Sequence, residues 1–131
     1  MHGETNLNTL LKNMTPLLNE GDYVYCTANG LIDINTKDII GLFKEPEAVT
    51  IILKKEIADR LCLKYEYIAA WITLTVHSSL AATGLTAAFA NALAIEGISC
   101  NVVAAYYHDH IFVARDDAER AMRALKKLSG N

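Results

Sequence analysis

Apolar residues recur at helical spacing in two well-separated stretches. Leu7, Leu10, Leu11 and Met14 form the first set, and Leu85, Ala88, Phe89, Ala92 and Leu93 form the second. Steps of three and four place each set on one face of a helix. A Glu-Gly pair follows each set, Glu20-Gly21 and Glu96-Gly97. Glycine in both places suits the left-handed residue that ends a helix. Strand-forming residues come next: Tyr23-Val24-Tyr25-Cys26 in one case, Ile98 to Tyr107 in the other.

The rest of each half also matches. Thr50-Ile51-Ile52-Leu53 runs into a polar helix start and then Ile57, Ala58 and Leu61. Ile111-Phe112-Val113-Ala114 runs into Asp116-Asp117 and then Ala118, Ala121, Met122, Leu125 and Leu128. The acidic pair suits the positive end of a helix dipole. Each half therefore reads helix, strand, strand, helix. The first half has a far longer connection between its strands, from Asn29-Gly30 to Phe43, which is unusual for such a link.

Between the halves, Tyr65 to Val76 reads as the last strand of the first unit running into the first strand of the second. The second unit is then strand-helix-strand-strand-helix, a split βαβ plan. The first unit has too few residues before Leu7 for a leading strand of its own, so it must borrow one or do without. Ile72, Leu74 and Val76 alternate with Trp71, Thr73 and Thr75, which makes the sheet face away from the helices partly apolar as well. That face needs cover from the other unit or another chain.

At 131 residues and 52% hydrophobic content the chain can bury a core, and its formal charge of -3 is mild. Arg115, Arg120, Arg123, Lys126 and Lys127 gather near the end, but Asp116, Asp117 and Glu119 dilute them. No nucleic-acid partner is expected. Cys26, Cys62 and Cys100 are odd in number and have no Cys-x-x-Cys spacing, so they read as buried free thiols of a reducing compartment. The start lacks a signal-peptide pattern, and the apolar run from Ile68 to Val76 is short of the ~20 residues a membrane helix needs. A cytoplasmic protein with no membrane partner is expected.

The loop between strand and helix, His77-Ser78-Ser79-Leu80-Ala81-Ala82-Thr83-Gly84, is the leading candidate for chemistry. Backbone N–H groups at a helix start attract an anion, and the helix dipole reinforces them. Ser78, Ser79, Thr83 and Thr86 add hydroxyls, while Gly84 leaves the backbone open to approach. The plainer reading is that Thr83 caps the helix and the serines face water. Asn101 interrupts an otherwise apolar strand and either faces the surface or reaches a ligand's ammonium and carboxylate.

Two catalytic readings are weaker. His77 and Ser78 are adjacent on an extended chain and point opposite ways, and there is no Gly-x-Ser-x-Gly elbow. His108 and His110 share a strand face and could bind a metal beside Asp109, but no third ligand stands out. A polar hairpin whose histidines bond locally is the simpler account. Glu45 and Glu47, flanking Pro46, read as solvated loop charges.

The chain resembles a family of small bacterial ACT-domain proteins, formerly a domain of unknown function. The resemblance lies in Trp71 to Leu80, in Gly84-Leu85-Thr86-Ala87-Ala88, in Gly97 to Val113, and in Gly21-Asp22-Tyr23-Val24-Tyr25-Cys26. It implies an α+β, ferredoxin-like fold of two tandem βαββαβ ACT units packed as in aspartate kinases, spanning 1–68 and 69–131, with strands exchangeable near 65–77. It further implies a non-catalytic regulator that binds a small ligand, an amino acid, at the unit interface. The loop after the first strand would carry the key glycine, here Gly84. The chain departs from the family's usual Glu-Gly before the strand threonine, with Glu47-Ala48-Val49-Thr50.

The expected ligand-binding residues are therefore Ser78, Ser79, Leu80, Thr83, Gly84, Leu85, Thr86 and Asn101. No metal or other cofactor is expected, and the chain is expected to form a homodimer. The alternatives are a ligand-free dimerisation module, or a small metal-dependent enzyme using His77, His108 and His110 with Asp109.

Overall fold

A computed structural model of the protein describes residues 6–29, 34–76 and 83–130. The chain divides into two compact units: Glu20–Ala69 forms one, and the segments on either side of it, through Asn19 and from Ala70, form the other. The boundary expected at 68/69 falls inside a strand, β5 (Ile68–Leu74).

In the Glu20–Ala69 unit, β2 (Tyr23–Ala28) pairs antiparallel with β4 (Val49–Lys54), which pairs antiparallel with β3 (Ile39–Lys44). The start of β5 flanks β2 on its other side, with Tyr23 opposite Ala69 and Val24 opposite Ile68. The strand this unit lacks at its own beginning is thus supplied by β5. Alternation sets the buried face: Val24 lies opposite Leu53 and Cys26 opposite Ile51, and all four are buried with Ile57 and Ala58 of α2 (Lys55–Arg60). The long connection expected up to Phe43 is corrected here. It holds β3, which lies at the end of the sheet with Ile40, Leu42 and Phe43 exposed. Its outward positions are as apolar as its inward Ile39, so no apolar/polar alternation marks the strand in the sequence.

The other unit carries α1 (Leu7–Asn13), β1 (Pro16–Leu18), the rest of β5, α3 (Leu85–Ile95), β6 (Asn101–Ala104), β7 (Asp109–Ala114) and α4 (Ala118–Leu128). β1 pairs antiparallel with β5, β5 neighbours β7, and β7 pairs antiparallel with β6. Ile72, Leu74, Ile111 and Val113 point to the helices, where Leu10, Met14, Phe89, Leu93, Ala121 and Leu125 complete a core of fully buried side chains. The helical set at Leu7 to Met14 therefore packs with the later part of the chain.

Gly97 ends α3 as expected. It adopts φ +73°, its N–H donates to Ala94, and the Ile98 N–H reaches back to Leu93. This double closure buries Ile98 against the same core. Gly21 also has positive φ, but it follows strand β1 and terminates no helix. The strand expected from Ile98 to Tyr107 is confined to Asn101–Ala104.

Candidate functional site

The helix start singled out by the sequence is only partly described. Ser78, Ser79 and Leu80, together with His77, lie outside the described residues. Thr83, Gly84, Leu85 and Thr86 are described, and they open α3.

The cap of α3 is Gly84, which corrects the expectation that Thr83 caps it. Gly84 has φ +91°, ψ -22°, and no side chain bonds to the first turn. Its carbonyl accepts from the Ala88 N–H at 2.9 Å, closing the first helical turn. The left-handed geometry excludes most residues with a Cβ. Space excludes one as well: a Cβ on Gly84 would lie 3.0 Å from Leu7 Cδ2. The glycine therefore lets α1 pack against the start of α3. Leu85 is buried in the core, while Thr83 and Thr86 are exposed on either side of it.

Asn101 is at the start of β6, exposed, and its Nδ2 donates to the Phe112 carbonyl at 3.2 Å. Among the described residues no hydrogen bond joins it to Thr83, Gly84, Leu85 or Thr86. One of its two amide hydrogens is thus engaged across the β6–β7 pair, where Asn101 lies opposite Phe112.

A second polar cluster occupies the sheet face away from α1, α3 and α4. Trp71 Nε1 donates to His110 Nδ1 at 3.0 Å, and Thr73 Oγ1 lies 3.1 Å from the same nitrogen. Asn19 Nδ2 donates to Thr73 Oγ1 at 3.0 Å and to the Trp71 carbonyl at 3.2 Å. An indole N–H can only donate, so His110 Nδ1 must carry a lone pair. The neutral ring then holds its proton on Nε2. Burial, with the nearby His108 charge, holds His110 below the ordinary imidazole range. Trp71 also stacks on Phe112 with ring centroids 6.1 Å apart.

This arrangement argues against the metal reading of His108 and His110. Coordination through Nε2 would move the ring proton to Nδ1 and cost the Trp71 bond, and Nδ1 itself is engaged. Asp109 is buried and precedes His110 on β7, so it takes the opposite strand face from His110; burial raises its carboxyl above the usual range, against the opposing pull of His108. No group of three or more metal-ligating side chains occurs among the described residues. The local hairpin bonding expected of His110 is corrected too, because its partners lie on β5. The alternation of β5 put Trp71 and Thr73 on one face, but only the β5–β7 pairing brings His110 to them.

The cysteines are free. Cys26 is buried and Cys100 half-buried, but Cys62 is exposed, which corrects the expectation of three buried thiols. No helix among the described residues is long and apolar enough to cross a membrane.

Helices on one face of an antiparallel sheet, with the split strand-helix-strand plan, define an α+β ferredoxin-like protein of the regulatory, small-ligand-binding kind. The chain belongs to the ACT domain family: one family model matches residues 2–70 and a second matches residues 66–127, so two ACT units lie in tandem. A protein of unknown function from Vibrio cholerae, described as a possible transport protein, is 48% identical, with 94% of this chain and 95% of that one covered and a TM-score of 0.84. A protein from Agrobacterium tumefaciens is 18% identical over 88% of this chain and 89% of that one, with a TM-score of 0.64. The ligand-free regulatory subunit of aspartate kinase from Thermus thermophilus has the same fold: 12% identity, 90% and 97% coverage, TM-score 0.64. No curated protein matches.

Proposed function

We propose that this protein is a non-catalytic regulator that binds an amino acid at the start of α3. The observation that carries this reading is the opening of that helix: Gly84 caps it without a side chain, so no cap competes with a ligand for the amides of the first turn. Those amides and the helix dipole favour a carboxylate. Exposed Thr83 and Thr86 flank the same turn. Ser78, Ser79 and Leu80 are retained as ligand residues because they lead directly into it. Asn101 is retained for its side-chain oxygen and its second amide hydrogen, since one Nδ2–H goes to Phe112. The likeness to a regulatory subunit of aspartate kinase supports control of another protein in place of chemistry of its own. We further read the protein as a cytoplasmic homodimer.

A thermal-shift screen against the proteinogenic amino acids, followed by titration calorimetry, tests the ligand. A selective stabiliser should raise stability by about 2.7 kcal/mol at a hundredfold excess over Kd. Ser79→Ala should weaken that rise without changing the melt of the free protein. Absence of any selective rise would overturn the amino-acid reading in favour of a ligand-free interaction module.

A further inference from the structure

α3 and α4 enclose a groove of about 480 Å³ on the outside of the helical layer, away from the start of α3. Its two walls differ in kind. α3 contributes Ala92 and Ile95, with Glu96 at its C-cap as the one acidic residue of the lining, and the helix itself from Leu85 to Ile95 carries no charged side chain. That is unusual for a surface helix in a chain where 21% of residues are charged. Ile95 is 78% exposed, so a large apolar side chain stands at the groove with nothing covering it among the described residues.

α4 contributes a basic wall. Arg120, Arg123 and Lys127 follow one another at helical spacing and line the groove above Ala124 and Leu128. Arg120 is committed: it donates to Asp117 at 2.9 Å and to the Glu96 carbonyl, tying the first turn of α4 to the end of α3. Arg123 and Lys127 have no acidic partner among the described residues. An apolar floor beside two uncommitted cations is complementary to a molecule with an apolar chain and an anionic head.

We propose that this groove binds a free amphiphilic anion, its apolar chain against Ile95, Ala92 and Ala124 and its carboxylate or phosphate on Arg123 and Lys127. The groove is separate from the start of α3, so this proposal stands independently of the amino-acid reading. A second copy of the chain is a poorer occupant on charge grounds, since no acidic apolar helix face is present among the described helices to complement it. A bilayer surface suits the concave shape less well than a single chain does.

The test is an NMR titration of the full chain with decanoate and with decyl phosphate below their micelle concentrations, with decanol and inorganic phosphate as controls. Saturable shifts confined to α3 and α4 are expected with both amphiphiles, and not with phosphate. Ile95→Glu, and Arg123→Glu with Lys127→Glu, should each weaken binding by about tenfold or more, since both change exposed positions that the fold does not need. The same variants should leave any amino-acid-induced thermal shift intact, which separates failure here from failure of that reading. Decanol binding as tightly as decanoate, or binding indifferent to these variants, would overturn the proposal. So would binding only to phosphatidylglycerol vesicles, or groove shifts that follow protein concentration without ligand.

Discussion

The indole of Trp71 donates to Nδ1 of His110 across 3.0 Å, joining β5 to β7 on the face away from the helices. The bond exists only while that nitrogen is unprotonated, so it ties the packing of one strand pair to pH. Burial first, and then His108, lower the His110 value in the folded protein. The unfolded chain therefore binds the proton more readily. The stability this provides is full above the ordinary imidazole value of about 6.5 and is lost as pH falls through the lower folded value. Trp71 is the only tryptophan in the chain. Its fluorescence should titrate with a midpoint below 6.5, and His110→Phe should abolish the step. A midpoint above 6.5 would contradict the bonding described.

Gly84 should tolerate no Cβ, whatever the ligand. Gly84→Ala imposes left-handed strain of about 1–3 kcal/mol, and the approach of Leu7 adds to it. Gly84→Val should be worse, since branching narrows the backbone further. Urea melts of the free protein measure this directly. Gly84 variants are accordingly poor probes of ligand binding.

Leu10 should matter to the far end of the chain. It is fully buried among side chains from β5, α3 and α4. Leu10→Ala should cost about 2–5 kcal/mol, and the transition should be seen by Trp71. A cost below about 1 kcal/mol would mean that α1 packs elsewhere.

The three thiols should react in a fixed order. Burial pushes Cys100 up to about 11, and Cys26 is buried and raised as well. Cys62 is exposed. Iodoacetamide at pH 8 should modify Cys62 first, with the other two following only in denaturant. Mass spectrometry of the early product reads the order.

Self-association should depend on β3. Phe43 is 72% exposed at the end of the sheet, beside exposed Leu42. Phe43→Lys should leave stability within about 0.5 kcal/mol and shift the protein toward monomer in sedimentation equilibrium. A wild-type chain that is monomeric at every concentration would remove the homodimer.

Much of the fold was readable from the period of its apolar residues. The three- and four-residue steps from Leu7 and from Leu85 mark α1 and α3, and Ile72 and Leu74 mark the helix-facing side of β5. β3 escaped because its exposed positions Ile40, Leu42 and Phe43 are apolar while its inward positions are Ile39 and Gly41, so burial alternates along the strand but hydrophobicity does not. β1 escaped because three residues beginning with proline carry little strand signal. At the site, Gly84 was legible as a conformational requirement, but its role as the cap was not. Capping preferences favour the hydroxyl of Thr83, and only the Leu7 contact and the positive φ decide otherwise. The Trp71–His110 bond spans 39 positions, and no local pattern encodes a pairing at that range.

The division of the chain also sets an order of events during synthesis. α1 and β1 are made before the Glu20–Ala69 unit, yet the buried side chains that share a core with Leu10 and Met14 all lie at Ala70 or beyond. All of Glu20–Ala69 must be made before the first of those partners emerges, at about 5–20 residues per second. That inserted unit has its own core and can close early. The opening helix waits meanwhile with its apolar face in water, a segment for a chaperone to hold until the last helix is made.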